Sequence, residues 1–202
     1  MSEWLRRRKR DHYYRLAKRL GYRSRAAFKL LQINRQFSIM RKGDVVVDLG
    51  CAPGGWLQVA RKIVGEEGFV VGVDLKHVPN LGFNNVVTVR GDVSSEETVR
   101  QLVKLLPRKA DVVLSDLAPN VTGIWDLDHE RQIDLAFTAL KVAKTLLRRG
   151  GNFLVKLFQG RRLKNYVNEL KKEFSFVKLY KPPASRKESA EIFAVCKGFK
   201  GG

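Results

Sequence analysis

Apolar residues fall along this chain in two alternating patterns: short unbroken runs and longer stretches at helical spacing. The runs at 45–49, 69–73, 86–89, 111–115 and 152–158 predict strands. In the first of them Val45, Val46, Val47 and Leu49 surround one acid, Asp48, and β-branched residues in a short run suit a sheet interior. Between the runs the spacing turns helical at 56–64, 95–106, 128–148 and 161–172. In the long stretch Ile133, Leu135, Ala136, Leu140, Val142, Ala143 and Leu146 supply the apolar face, and Gly150 and Gly151 are expected to stop it. An earlier helix is expected from Ser24, as N-cap, through Ala26, Ala27, Leu30, Leu31 and Ile33. Strands at 174–180 and 191–197 are joined by KPPASRKESA, whose prolines and charges predict an exposed loop at a sheet edge. Strands alternating with helices predict an α/β fold, an open doubly wound sheet. No internal repeat or long linker divides the chain, so residues 1–202 are expected to form one domain, with a basic helical segment over about 1–40.

The stretch 45–56, VVVDLGCAPGGW, joins a strand to a helix through a glycine turn. Gly50, Gly54 and Gly55 free the backbone to turn sharply and to approach a ligand, and Pro53 stiffens the turn. Such a corner binds nucleotides outside the carboxyl ends of the strands. The spacing is not GxGxxG, and no GxxxxGK[ST] is present, which favours a nucleoside without a triphosphate. Asp74 closes the next strand at a distance suited to ribose hydroxyls, roughly 20 residues on. S-adenosylmethionine meets this description. Asp92 ends the third strand, where it either meets an adenine amino group or closes a turn. Asp116, followed by Pro119, ends the fourth, where it is well placed for chemistry or equally able to close the turn. Lys156 is the strongest oddity, because an ammonium group inside a buried run is rare without a partner. Lys29 by itself reads as a surface lysine, and Glu191 opens the last strand.

Charge changes the picture. The net charge of +19 exceeds what solubility requires and implies a polyanionic partner. Arg6, Arg7, Arg8, Lys9, Arg10, Arg15, Lys18 and Arg19 are interleaved with Trp4, Tyr13 and Tyr14. That mixture suits phosphate contact and base stacking on RNA, although a solvated helix face has the same composition. No apolar run approaches the ~20 residues of a membrane span, and MSEWLRRRKR lacks the apolar core of a secretory signal. Cys51 and Cys196 give neither a disulfide framework nor metal-ligand spacing, which points to a reducing, cytoplasmic setting. Cys51 reads as a small buried thiol.

YRSRAAFKL at 22–30, VVDLGCAPGGW at 46–56, SDLAPNVTG at 115–123, LVKLFQG at 154–160 and KPPASRKESAEIF at 181–193 occur in an order that resembles the FtsJ/RrmJ family of RNA ribose 2′-O-methyltransferases. The resemblance covers nearly the whole chain. It implies a Rossmann-like seven-stranded, mostly parallel sheet of order 3-2-1-4-5-7-6 and S-adenosyl-L-methionine as cofactor. It implies a catalytic set of Lys29, Asp116, Lys156 and Glu191, with no metal. Cofactor residues would be Gly54, Trp56, Asp74, Asp92 and Asp116. The expected substrate is a uridine ribose in large-subunit ribosomal RNA, free or in the assembling subunit, acted on by a monomer with no DNA or membrane partner. Transfer RNA methylation and non-catalytic RNA binding in ribosome assembly are the alternatives.

Overall fold

A computed structural model of the chain describes residues 11–201. The basic residues Arg6 to Arg10 and Trp4, expected on the first helix, lie outside the described residues. Helices α1 (His12–Arg19) and α2 (Ala26–Phe37) precede the sheet. There follow β1 (Val45–Leu49), α3 (Gly55–Val64), β2 (Phe69–Asp74), β3 (Val86–Arg90), α4 (Glu96–Leu105) and β4 (Ala110–Ser115). The chain continues through α5 (Trp125–Leu146), β5 (Leu147–Phe158), α6 (Leu163–Glu173), β6 (Phe174–Tyr180) and β7 (Glu191–Phe199). The seven strands form one sheet in the order β3-β2-β1-β4-β5-β7-β6, the order the resemblance implies. Strands β1 to β5 pair in parallel, and β7 runs antiparallel between β5 and β6. Among the described residues no helix is long and apolar enough to cross a membrane.

A parallel sheet must be covered on both faces, and alternate side chains along each strand divide between them. Val47, Val113, Phe153 and Val155 pack toward Ile133, Ala136 and Leu140 of α5 and Tyr166 and Leu170 of α6. Val46, Val112, Leu114 and Leu154 pack toward Leu30 and Ile33 of α2 and Leu57 and Ala60 of α3. The connections leave β1 and β4 in opposite directions along the sheet. A crevice therefore opens between their carboxyl ends, the usual ligand position in such folds.

Three local expectations are corrected. Ser24 does not cap α2: Arg25 is the N-cap residue, while the Ser24 carbonyl accepts the Ala27 N–H at 3.3 Å. The Ser24 hydroxyl lies instead against the backbone of Gly55, where a Cβ would come within 2.2 Å of it. The long helix ends at Leu146, before the two glycines, because Leu147 joins the sheet opposite Ala110. Pairing resumes at Asn152 opposite Val112, so residues 148–151 bulge out between the two contacts. The loop 181–190 is only partly exposed: Pro182, Ala184 and Ser185 are buried. The Ala184 N–H donates to Gln32 Oε1 at 2.7 Å, so a polar residue of α2 satisfies backbone that would otherwise need water.

Asp111 holds the bulge. It accepts the Val45 N–H at 2.7 Å and the Arg148 Nε–H at 2.5 Å, with Arg108 Nη1 at 2.6 Å. Burial alone would raise its carboxyl, but the Val45 N–H and the two guanidinium groups hold it below the usual carboxylate range. A carboxyl depressed on folding stabilises the fold above its unfolded-state pKa, and that contribution is lost as pH falls through the folded value. Asp111→Asn should therefore cost ~1.5–3 kcal/mol of unfolding free energy at pH 7. The deficit should narrow once the pH drops below about 4. Urea denaturation of both proteins at pH 7 and pH 3 checks this, and equal stability at pH 7 would remove the clamp.

Candidate active site

The glycine turn, the end of β4 and the end of β5 meet at the crevice. A cavity of about 110 Å³ lies there, lined by Ser24, Gly50, Cys51, Pro53, Trp56 and Asp116 among others. Gly54 is the N-cap of α3 at φ +107°, a conformation that side chains rarely adopt, and any Cβ there would lie 3.0 Å from the Arg23 guanidinium. The turn thus presses on Ser24 at Gly55 and on Arg23 at Gly54. Backbone at both points is close enough to leave room for hydrogen only.

Asp74 binds the turn from the next strand. Its Oδ2 accepts the Ala52 N–H at 2.9 Å and its Oδ1 accepts the Lys76 N–H at 2.8 Å. A carboxylate has about four acceptor sites, so hydroxyl donors can still be met. Asp92 is exposed; its Oδ1 accepts both the N–H and the hydroxyl of Ser94, and those bonds hold its carboxyl below the usual range. Trp56 opens onto the cavity, but its ring is core: the residue is 3% exposed and Nε1 donates to the Ala26 carbonyl at 2.8 Å.

The four expected catalytic residues form two ion pairs. Lys156 is buried in β5, with Nζ donating to the Asp116 backbone carbonyl at 2.8 Å. Nζ also lies 3.0 Å from Asp116 Oδ1, a charge contact without hydrogen-bond alignment. Asp116 itself is tied to the end of β1, its N–H donating to the Leu49 carbonyl at 3.1 Å. Lys29 Nζ, from α2, sits 2.7 Å from both oxygens of Glu191. Ser185 Oγ donates to Glu191 Oε1 at 2.7 Å. In the β5–β7 ladder Lys156 stands opposite Phe193, and Phe158 stands opposite Glu191. Residues two apart share a face, so Lys156 and Glu191 point to the same side. Lys29 Nζ is 5.9 Å from the centre of the Phe193 ring.

Two contributors escaped the sequence reading. Asp48 is fully buried under the turn, and neither of its carboxylate oxygens has a hydrogen-bond partner among the described residues. Burial raises its carboxyl well above the ordinary range, and Asp116 and Asp74 push the same way. An acid inside the run VVVDL was the available signal. Gln132 donates from Nε2 to the carbonyls of Leu117, at 3.1 Å, and Lys156, at 2.9 Å. It ties the loop after β4 to β5, and its helical position gave no hint of this. Asp116 lines the cavity, and its carboxylate suits a ligand that brings donors and positive charge, as S-adenosylmethionine does.

Comparison with known proteins finds relatives over nearly the whole chain. Residues 22–199 match the family model described as FtsJ-like methyltransferase. The chain is 51% identical to the ribosomal RNA large subunit methyltransferase E of Methanocaldococcus jannaschii over 203 residues, 99% of this chain and 83% of that one. A putative ribosomal RNA methyltransferase from Plasmodium falciparum superposes with a TM-score of 0.80 at 29% identity, covering 90% of this chain and all of that one. A putative methyltransferase from Streptococcus mutans, solved in complex with SAH, shares the fold at a TM-score of 0.54 and 15% identity, covering 87% and 96%.

Cys51 lines the cavity, yet burial pushes its thiol up, and Asp48 and Asp74 add to the effect. Cys196 is also buried, with its thiol raised by burial. Neither should act as a nucleophile. Native protein at pH 8 should leave both thiols unmodified by 5,5′-dithiobis(2-nitrobenzoate), and both should react in denaturant. Rapid labelling of native Cys51 would contradict the inert assignment.

Proposed function

The chain belongs to the FtsJ-like methyltransferase family, and from that premise we propose that it transfers a methyl group from S-adenosyl-L-methionine to a ribose 2′-hydroxyl in large-subunit ribosomal RNA. The carrying observation is the Lys156–Asp116 pair beside the glycine turn, with the Lys29–Glu191 pair on the same face of the sheet. The relative's name supports the RNA class, and the resemblance supports uridine as the nucleoside. A monomer that works in the cytoplasm as one domain, with its basic amino-terminal segment on phosphates, completes the reading.

The cofactor supplies a methyl group already activated on a sulfonium. Asp74 would hold its ribose, Asp92 its adenine, and Gly54 and Trp56, at the start of α3, its amino-acid end. Asp116 would border the methyl group. A ribose hydroxyl is a weak nucleophile, so its proton must leave as the oxygen attacks. Both contacts on Lys156 Nζ are acceptors of Asp116. An ammonium has three donors. The N–H groups not given to the Asp116 carbonyl would align the hydroxyl and stabilise the negative charge that grows on oxygen as its proton departs to water, a form of electrostatic preorganisation. Lys29 and Glu191 would fix the target ribose.

The direct test incubates the protein with large-subunit ribosomal RNA and isotopically labelled S-adenosylmethionine, then identifies labelled nucleosides by mass spectrometry. Label is expected in 2′-O-methyluridine, and label on a base, in transfer RNA alone or in no RNA would overturn the reading. Asp74→Ala should weaken cofactor binding by roughly tenfold to a hundredfold, since losing a charged hydrogen-bond partner costs ~1.5–3 kcal/mol. Calorimetric titration measures it, and unchanged affinity would take Asp74 out of the site.

A further inference from the structure

The loop that leaves β4 for α5 exposes apolar surface beside the Lys156–Asp116 pair. We propose that this surface, centred on Trp125, is a platform for the base of the nucleotide whose ribose is methylated. The inference deepens the reading of the chain as an RNA methyltransferase and rests on it. Nine large apolar side chains are exposed among the described residues, and four of them, Val121, Ile124, Trp125 and Leu127, fall within seven positions. Scattered apolar exposure is ordinary, but a cluster of it marks a binding surface. Trp125 is 49% exposed, so about half of the residue stays open. Its ring rests on Phe158, with centres 6.2 Å apart, and on His129, at 6.4 Å, each plane inclined 22° to its own.

The patch is held in place by the first turns of α5. Buried Asp128 accepts the Thr122 N–H and hydroxyl, each at 2.8 Å, and the Gly123 N–H at 3.0 Å. Gln132 holds the Leu117 carbonyl at the other end of the loop. Buried His129 accepts the Arg162 N–H at 3.1 Å, and a Cβ on Gly160 would lie 2.5 Å from its ring. His129 thus fastens the loop after β5 to the helix that carries Trp125. Position then points to the target base. Phe158, under the indole, stands opposite Glu191 in the ladder. It lies two residues beyond Lys156, about 7 Å along the strand and on the same face. That is the reach of a nucleoside from its 2′-hydroxyl to its base. Lys156, Asp116, Lys29 and Glu191 offer charge to a ribose and no flat surface to a base. The rings of Trp56 and Phe193 are buried, whereas that of Trp125 is open. A uracil lifted from its neighbours loses their stacking, and an aromatic side chain restores it.

The test uses the full chain, S-adenosylmethionine and a large-subunit ribosomal RNA transcript, made with uridine or with photoreactive 5-iodouridine. Trp125→Ala should raise the RNA concentration at half-maximal methyl transfer by roughly tenfold, the scale of one lost stacking contact. Cofactor affinity should not change. Trp125→Phe, which keeps a ring, should recover most of that loss, and Trp125→Leu, apolar without a ring, should not. Irradiation of the iodouridine complex should join the peptide that carries Trp125 to the uridine that is methylated, as read by mass spectrometry. Unchanged half-saturation in Trp125→Ala, recovery by leucine equal to that by phenylalanine, or crosslinks that miss Trp125 or fall on another uridine would each overturn the platform. The patch would then fit a protein partner. The two readings fail separately. Wild-type protein that methylates ribosomal RNA without a crosslink at Trp125 sinks the platform alone. Protein that crosslinks through Trp125 but methylates no RNA sinks the methyltransferase reading.

Discussion

A cation on a strand covered on both faces must be met by an acceptor, and much of the site follows from how Lys156 is met. Asp116 supplies both its backbone carbonyl and its carboxylate, at 2.8 and 3.0 Å. That arrangement requires β4 and β5 to be neighbours, so that the residue just past the end of one lies beside the side chain of the other. It also requires the chain after Ser115 to turn at a fixed height. The Asp116 N–H bond to Leu49 and the Gln132 bridge between Leu117 and Lys156 set that height. Breaking one partner of such a pair leaves an uncompensated buried charge, which costs more than the pair itself contributes. The ion pair is therefore a constraint on packing as well as the proposed reagent.

The antiparallel strand β7 extends the same logic. Its insertion between β5 and β6 brings Glu191 to the face of Lys156, and Lys29 then neutralises it from α2. Phe193 stands opposite Lys156 in the ladder, and its ring centre lies 5.9 Å from Lys29 Nζ. Packing by Trp56 on Phe193, with ring centres 5.9 Å apart, joins this side of the site to the helix that opens at the glycine turn. Asp48 lies beneath, with its carboxyl raised by burial and by the acids around it. The Asp116 carboxylate lines the cavity, which gives a donor-bearing, positively charged ligand a natural seat.

Strand positions and the glycine corner were legible because they depend on local pattern, whereas the sheet order was legible only through the resemblance. The run at 45–49 could only be interior strand, and the helices between runs kept their spacing. Lys156 was legible as an anomaly, since its burial conflicts with its charge. What was hidden depends on partners far along the chain. Arg148 is drawn to Asp111, 37 residues away, and with that the helix gives way to strand before its glycines. Gln32 reaches Ala184, 152 residues away, and buries part of a loop whose composition reads as solvent-exposed. Ser24 looked like a cap, but Gly55 left a space for its hydroxyl that no local rule contains. Lys29 became more than a surface lysine only through the resemblance and, in space, through Glu191.

The central claim is that the cation of Lys156, held by Asp116, carries the chemical step. It is tested most directly by single-turnover methyl transfer in Lys156→Ala, with cofactor and RNA affinities measured on the same protein. Preorganised stabilisation of a developing oxyanion is worth about 10²–10³ in rate. The account predicts a loss of at least about a hundredfold, with both ligands bound at close to wild-type affinity. Turnover near the wild-type rate would contradict it.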